Sequence, residues 1–339
     1  MYGRRGKVSA LEQTAIDKIK RTLGKYMLES ILLLLIVFMA VSTHGFFTAG
    51  NLLNILRNVA LQGCIAFGMT MVIISGEIDL SIGSTVALTG VIIGLTSGAL
   101  VNAGIMPMEQ AVIVGMLLSL IVASCIGLFN GWLLTRFKIP SFIITLAMMN
   151  ALYGVAAIIS NGFPVTTFPR WYNVIGAGRL FNVIPIPAVI LLLVFAVTYV
   201  IVGHTKFGRS IYAVGGNAEA ARLSGINVKR VKIVSMMAVQ FCAAISGILV
   251  SSQVMSGSAS FGRGWELTAI SSVIIGGASL TGGIGRVSRT LVGIIFLGVL
   301  INGMTLLNVN EYYQFVVRGL LILVAVLVNT LQIQRKGVK

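Results

Sequence analysis

Two acidic side chains, Glu77 and Asp79, lie in the segment GEIDLSIG between two long apolar runs. A carboxylate at the centre of a lipid bilayer costs about 2.5–3.5 kcal/mol on insertion scales, so each needs a partner or water. In one interpretation, Asp79-Leu80-Ser81 caps the helix that follows and Glu77 is solvated. In the other, the segment is a polar lining or gate for a solute, where irregular backbone is covered by protein or water.

Neutral polar side chains are further candidates for the lining of a solute path. With Glu77 and Asp79, the candidate residues of a solute path or gate are Ser81 and Asn150. Polar residues inside apolar runs bind a polar solute or bridge helices, and for any single one we favour bridging. These residues are Gln62, Asn130, Thr145, Asn150, Gln253 and Asn302. A proton relay is a third interpretation, weakened because Glu266 and Glu311 lie at the ends of apolar runs.

Other chemistry is not supported by residue type or spacing. The chain has no GxxxxGK[ST] loop, so ATP hydrolysis by the P-loop route is excluded. Its three cysteines, Cys64, Cys125 and Cys242, lie in apolar runs without CxxC spacing, and His44 and His204 lie at opposite ends of such runs. We therefore expect no metal, no cofactor and no catalytic residues, and the chain is not expected to be an enzyme.

The composition requires lipid as the solvent. Of 339 residues, 57% are hydrophobic and 10% are charged, and the mean hydropathy is +0.98. A soluble domain carries about a quarter of charged residues. The net charge of +16 suggests either a polyanion ligand or membrane orientation, and the position of the basic residues decides between them.

Apolar runs long enough to cross about 30 Å of hydrocarbon predict an all-α integral membrane protein with about ten transmembrane helices. The expected spans are Leu28–Val41, Val59–Ser75, Ser81–Val101, Ala111–Leu134, Ile139–Ser160, Pro187–Val202, Ile233–Met255, Leu267–Leu280, Leu291–Leu307 and Phe315–Leu331. Because the first and eighth are short, nine or eleven spans are alternatives. Residues 76–83 form either a cytoplasmic turn or a re-entrant break.

Basic residues divide unequally between the two sides of this map. With a cytoplasmic amino terminus, twenty basic residues lie inside and four outside, which excludes nucleic acid as the explanation of the charge. Both termini are then cytoplasmic. We expect a basic arm at 1–27, with no cleavable signal peptide, and a single transmembrane domain at 28–339 that carries a cytoplasmic loop at 204–232.

That loop contains helix signals. Gly215 and Gly216 predict a flexible turn, Asn217 is a good N-cap, Ala218–Leu223 favours helix, and Gly225 is placed to end it. The short helix either joins two spans or is a docking helix for a cytoplasmic partner.

Two sequence patterns concern packing. Val72–Gly76 and Val273–Gly277 share the pattern VII-x-G, which hints at two related halves. The glycines between 276 and 285 predict close backbone approach.

The residues Glu219-Ala220-Ala221, followed by Gly225, resemble the EAAxxxG coupling motif of ABC importer permeases. The stretches FGRSIYAVGGNAEAARLSGINV, ISGEIDLSIGS, VIIGGASLTGGIG and YYQFVVRGLLILVAVL resemble the ribose-type family within the branched-chain amino acid permease superfamily. The similarity runs from about residue 30 to the end. One departure is that Val231–Met236 lacks the proline expected after the coupling motif.

The resemblance implies a multi-pass permease subunit in a bacterial inner membrane, importing a monosaccharide or similar polyol. Its implied partners are an ABC ATPase subunit, a periplasmic sugar-binding protein, a second permease copy or paralogue, and the lipid bilayer, with no nucleic acid. The implied ATPase-coupling residues are Gly215, Gly216, Asn217, Glu219, Ala220, Ala221 and Gly225. An ion-coupled secondary transporter of a small polar solute is the alternative.

Overall fold

The computed structural model describes residues 27–337, so residues 1–26 of the expected basic arm lie outside the described part. The amino-terminal helices are α1 Met27–Ser42, α2 Ala49–Ile74, α3 Ile82–Asn102, α4 Met108–Phe137 and α5 Ser141–Ile159. A 3₁₀ turn Arg170–Tyr172, helix α6 Asn173–Ala177 and a hairpin of β1 Arg179–Leu180 and β2 Ile184–Pro185 follow. The remaining helices are α7 Ile186–His204, α8 Lys206–Gly216, α9 Ala218–Leu223, α10 Val228–Val254, α11 Trp265–Ile275, α12 Val287–Leu306 and α13 Glu311–Gly337.

Seven helices in the described residues are long and apolar enough to cross a membrane, namely α2, α3, α4, α5, α7, α10 and α12. Two shorter apolar helices, Leu28–Ser42 and α11, coincide with the two spans expected to be short. The chain is therefore an all-α, multi-pass membrane protein, while the count of ten spans and the side on which the termini lie stay predictions.

Helix α2 lies at the centre of the subunit. Its second half is buried on all sides, including Ile65, Phe67, Met69 and Ile73, none of which is exposed. By contrast, α5 and α7 are largely exposed and present apolar side chains, as helices at the lipid boundary do.

Close backbone approach holds α4 against α10. A Cβ atom on Gly127 would be 2.5 Å from the Met237 Cα, and one on Gly131 would be 2.7 Å from the Ile233 Cα. Glycines four residues apart lie on the same helix face, and in lipid such small residues allow helices to pack by close contact.

The repeated VII-x-G pattern forms the same helix end twice. At the end of α2, Gly76 has φ +83°, its N–H donates to Ile73 O, and the next residue's N–H donates to Val72 O. At the end of α11, Gly277 has φ +86°, its N–H donates to Ile274 O, and the next residue's N–H donates to Val273 O. Each is a Schellman motif, which leads the chain out of the helix into an irregular segment.

The two irregular segments, 75–81 and 276–286, break the helical bundle. The eighth span, expected at Leu267–Leu280, is helical only to Ile275 because of this motif. Segment 75–81 then leads to the start of α3, where a Cβ atom on Gly83 would be 2.4 Å from Glu266 Oε2 in the first turn of α11. The amino-terminal ends of α3 and α11 therefore meet.

Candidate functional site

The connections between the helices form two groups. Within each group, the connections contact one another. In the first, Gly283 N–H donates to Ile74 O at 2.8 Å, and Tyr212 O–H donates to Gly285 O at 2.8 Å. In this group, Ile78 N–H also donates to Ser141 Oγ at 3.2 Å. Segments 138–140, 204–227 and 276–286 and the beginning of segment 75–81 therefore lie at one end of the bundle, which we call the basic end.

The second group lies at the other end. Val165 pairs with Gly257, Asn173 Nδ2 donates to Ser252 O at 3.1 Å, and Asn51 exchanges two amide hydrogen bonds with Asn302. From the sequence, the connections near these residues are all expected on the outer side of the membrane. Their contacts with one another are consistent with that expectation.

Helix α9 projects from the basic end. Asn217 Oδ1 accepts from the backbone N–H groups of Glu219 at 3.0 Å and Ala220 at 2.9 Å, which confirms the expected N-cap. At the other end, Gly225 N–H donates to Arg222 O and the following N–H donates to Ala221 O. Gly225 has φ +83°, so it ends the helix in a Schellman motif, as expected of a C-terminal glycine.

The outer face of α9 is exposed and charged. Glu219 and Arg222 form an ion pair at 2.5 Å, and about two thirds of each side chain is exposed. The hydrogen bond from Arg222 holds the pKa of Glu219 below its ordinary value. Leu223 is 76% exposed beside them, and only Ala221 of this helix is buried.

Helix α8 attaches α9 to the bundle. The expected flexible turn at Gly215 and Gly216 is wrong, because both glycines belong to the last turn of α8. The reason is tertiary contact, since Gly215 lies directly against the end of α2 and against Gly283. Tyr212, one turn earlier, is held by Gly285 O, and burial raises the pKa of its hydroxyl, which therefore stays a donor.

Asp79 is fully buried within a network of hydrogen bonds. Its Oδ1 accepts from the backbone N–H of Ser81 at 2.8 Å and from the Ser81 hydroxyl at 2.6 Å, just before α3 begins. Its Oδ2 accepts from Gln240 Nε2 at 2.8 Å, from the middle of α10. Asn130 and Thr85 complete the network with one hydrogen bond each, to Ser81 and Gln240 respectively.

Glu77 has a charged partner. Lys232, in the second turn of α10, forms a salt bridge with Glu77, and their side chains are 22% and 10% exposed. The pair joins segment 75–81 to α10 at the basic end. Removal of either partner would leave the other charge enclosed and poorly solvated. The loss of one residue of such a pair therefore destabilises the fold.

The four candidate residues of a solute path are not brought together. Glu77, Asp79 and Ser81 lie in or beside segment 75–81, whereas Asn150 is exposed on the outer face of α5, where its amide donates to Leu146 O at 2.9 Å. Their role in a solute path stays a prediction.

Bridging is the observed role of three of the polar residues inside spans, Asn130, Thr145 and Asn302. Sequence reasoning missed Gln240, Lys232 and Thr85, because their partners are more than 150 residues away along the chain. An amide in the middle of an apolar run, as Gln240 is, was the available signal. Among residues 27–337 there is no group of three or more His, Cys, Asp or Glu side chains placed to hold a metal ion.

Comparison with known proteins identifies a family. Residues 51–326 match the family described as branched-chain amino acid transport system / permease component. The ribose import permease protein of Bacillus subtilis is 38% identical over 92% of this chain and 94% of its own length. That of Escherichia coli K12 is 40% identical over 88% and 91%, and the L-arabinose ABC transporter permease protein of Azospirillum brasilense is 35% identical over 88% and 85%.

No solved structure matches the chain. The family model covers most of the chain, and these relatives exceed 30% identity over nearly their whole length. The chain therefore belongs to the family of branched-chain amino acid transport system permease components, with relatives that are permeases for ribose and L-arabinose.

Proposed function

We propose that the chain is the membrane-spanning permease subunit of a bacterial ABC importer that carries a monosaccharide or similar polyol. The relatives named above are permeases for ribose and L-arabinose, and this supports a sugar over an amino acid as the solute. ATP hydrolysis belongs to a separate ATPase, because the chain has no phosphate-binding loop of its own.

One observation carries the proposal: the docking helix α9 is joined, through the last turn of α8, to the broken ends of the membrane helices. Asn217 caps α9, and two residues before it Gly215 contacts Ile74 at the end of α2 and Gly283 in segment 276–286. A displacement of α9 is therefore transmitted to the two segments that interrupt the bundle. This is the connection that a subunit driven by an external ATPase requires.

In this proposal the ATPase binds residues 215–225 at the basic end. Closure of the ATPase on nucleotide pushes α9 and α8, and Gly215 passes the movement to the ends of α2 and α11. A periplasmic sugar-binding protein docks at the opposite end, and a second permease copy or paralogue completes the pathway. Each partner shifts the equilibrium between two conformations of the subunit, and the size of the shift is set by the difference in the partner's affinity for them.

The basic end faces the cytoplasm of a cell whose inner membrane holds the protein. Lys206, Arg209, Arg222, Lys229 and Arg230 all lie in the connection from α7 to α10 or in the first turn of α10. Positively charged connections of this length remain on the cytoplasmic side. Both termini then also face the cytoplasm, and the ten spans alternate from there.

Reconstitution tests the proposal. In proteoliposomes, the chain with its ATPase and binding protein is expected to take up radiolabelled D-ribose or L-arabinose only with ATP, while the chain alone hydrolyses none. Ionophores that abolish proton and sodium gradients should leave uptake unchanged. Uptake that needs no ATPase and stops with the ionophore would instead establish the ion-coupled secondary transporter.

A further inference from the structure

A cavity of about 110 Å³, with amide and hydroxyl groups set in a largely apolar wall, lies between α2, α11 and α12, away from the coupling residues and the Asp79 network. We call it the amide groove. Its polar lining is Asn54, Asn58, Gln62, Thr268, Ser272, Asn302 and Thr305, and its apolar lining includes Ile55, Val59, Leu297 and Ile301. A volume of this size holds several water molecules.

One wall of the amide groove is a stripe of carboxamides. Asn54, Asn58 and Gln62 are four residues apart, so they lie one above the other on the same face of α2. Asn54 Oδ1 accepts from Arg57, but within residues 27–337 the side chains of Asn58 and Gln62 have no hydrogen-bond partner. A buried amide without a partner is unfavourable, so the half-buried Gln62 needs water or a ligand, whereas Asn58 is exposed and can bond to either.

The opposite wall supplies hydroxyl oxygens. Thr268 and Ser272 are also four residues apart, on one face of α11, and both side chains are buried. Each hydroxyl donates to a carbonyl of its own helix, Thr268 to Gly264 O at 3.3 Å and Ser272 to Thr268 O at 2.8 Å. Their oxygen lone pairs therefore remain available as acceptors in the groove.

This combination matches one class of ligand. Carboxamides both donate and accept, hydroxyl oxygens accept, and no charged side chain lines the groove. A neutral polyhydroxylated ring offers donors and acceptors around its edge and C–H groups on its faces. The apolar side chains of Ile55 and Leu297 are suited to those faces, as in polar-ligand pockets built on an apolar surface.

The amide groove is exposed at one end. Asn58 and Thr305, towards the end opposite the basic end, are exposed. Beyond Gln62 the helices close on each other, since a Cβ on Gly293 would be 2.1 Å from Ser272 O. Two turns further along α2, Thr70 and Thr290 share a hydrogen bond of 2.8 Å. The groove is thus open on the side where a binding protein delivers solute and shut on the ATPase side.

We propose that the amide groove binds the hydroxyl groups of the transported sugar on its way through this subunit, with Asn58 and Gln62 as its principal hydrogen-bonding residues. The inference rests on the proposed function, because it assigns the solute of that importer to a site. It adds a location outside segment 75–81 and on a different face of the bundle from Asn150.

Transport by the complete complex tests the assignment. Asn58→Leu and Gln62→Leu are expected to lower D-ribose or L-arabinose uptake at least fivefold, with the stimulation of ATPase by loaded binding protein unchanged within twofold. Gln110→Leu is the matched control, because Gln110 is exposed in the first turn of α4, outside the groove. Wild-type uptake by Gln62→Leu would overturn the groove while leaving the importer intact. A wild-type complex that imports no sugar would overturn the proposed function itself.

Cysteine labelling gives a readout that does not depend on tolerance of leucine. In a chain with Cys64, Cys125 and Cys242 replaced by alanine, Asn58→Cys and Gln62→Cys should react with a membrane-impermeant methanethiosulfonate in intact cells. Leu56→Cys should not react, because Leu56 lies outside the lining of the groove and its exposed apolar side chain is expected to face lipid, where a thiol does not ionise. Equal protection of Gln62→Cys and Leu56→Cys would show that the groove is dry and overturn the proposal.

Discussion

Gly215 lies so close to Ile74 that a Cβ atom built on the glycine would be 1.7 Å from the Ile74 carbonyl oxygen. That oxygen also accepts a hydrogen bond from Gly283 N–H at 2.8 Å. Three separate parts of the chain, the last turn of α8, the end of α2 and segment 276–286, therefore meet at one carbonyl group.

Gly215→Ala is expected to separate α8 from α2. The added methyl group has backbone on two sides, so the helix end must shift, which costs about 1–3 kcal/mol as overpacking does. We expect sugar uptake by the complex to fall at least tenfold while the ATPase still hydrolyses ATP. Uptake and ATPase rates in proteoliposomes measure the two effects.

Gly216→Ala is the matched control for this change. Gly216 is the next residue in the same helix turn, and a Cβ atom there would meet nothing within 4 Å. Alanine is favoured over glycine in a helix by about 0.5–1 kcal/mol, so the Gly216→Ala subunit should be at least as stable as wild type, whereas Gly215→Ala should unfold at a lower temperature. Equal losses of stability in both variants would contradict the close contact at Gly215.

The ion pair of Glu77 and Lys232 should stabilise the subunit. Lys232→Met leaves the Glu77 carboxylate without its charged partner in a position that is 10% exposed. We expect a loss of about 2 kcal/mol, since an unpaired charge in an enclosed site is poorly solvated. Thermal unfolding in detergent, followed by the fluorescence of the tryptophans, measures the change.

Two further variants separate loss of charge from loss of the lysine stem. Lys229→Met removes an exposed lysine one turn earlier on α10 and should leave the melting temperature unchanged. The double variant Glu77→Gln/Lys232→Met should recover part of the loss, because neither charge is then left alone. A double variant less stable than Lys232→Met would disprove the pairing as the cause.

Local signals in the sequence predict the ends of several elements. Asn217 and Gly225 bound α9 because capping and left-handed backbone depend on residue type at a few adjacent positions. The repeated VII-x-G pattern predicts similarity between two regions, and both repeats end a helix in the same way. The shortness of the eighth span is also visible in its hydropathy.

Contacts between distant residues are not visible in the sequence. By residue type, Gly215 and Gly216 predict a turn. In the fold, Gly215 is part of a helix, and its lack of a Cβ atom instead allows that helix to pack against Ile74. Gln240 is one of several amides in spans, and nothing local shows that its partner is Asp79, 161 residues earlier. Asn58 was not recognised as a candidate, because the stripe it forms with Gln62 matters only where α11 and α12 enclose it.

The Asp79 network predicts a graded series of stabilities. Gln240→Leu removes the hydrogen bond to Asp79 Oδ2 and those to Ser81 and Thr85, so it should cost about 3 kcal/mol. Asn130→Leu removes one longer bond to Ser81, of 3.1 Å, and should cost about 1 kcal/mol. Thermal unfolding of the two purified variants tests the order, and a smaller effect at Gln240 than at Asn130 would contradict the network.

The topology predicts opposite labelling of two exposed positions. Leu223 on α9 is 76% exposed, and Phe181 in the β1–β2 turn is 85% exposed. In a cysteine-free background, an impermeant maleimide should label Phe181→Cys in intact spheroplasts and Leu223→Cys only after the membrane is opened. The opposite result would reverse the orientation of the whole chain, because the two connections lie at opposite ends of the bundle.

Gly225→Val is expected to uncouple the subunit from its ATPase without preventing membrane insertion. Gly225 has φ +83°, and a Cβ atom there would meet nothing within 4 Å, so valine is disfavoured only by its backbone conformation. A left-handed conformation costs an L-residue about 1–2 kcal/mol, and more for a β-branched one. The Schellman bonds to Ala221 and Arg222 should then break, and the exposed face of α9 should be redirected.

Gly225→Asn separates conformation from side-chain bulk, because asparagine adopts left-handed backbone more readily than valine. It should retain most of the uptake, whereas Gly225→Val should lose most of it and co-purify less ATPase. Both variants should reach the membrane in normal amounts, since neither changes a span or a basic residue. Full uptake by Gly225→Val would remove the coupling role from this helix, and its absence from the membrane would instead make Gly225 a residue of folding.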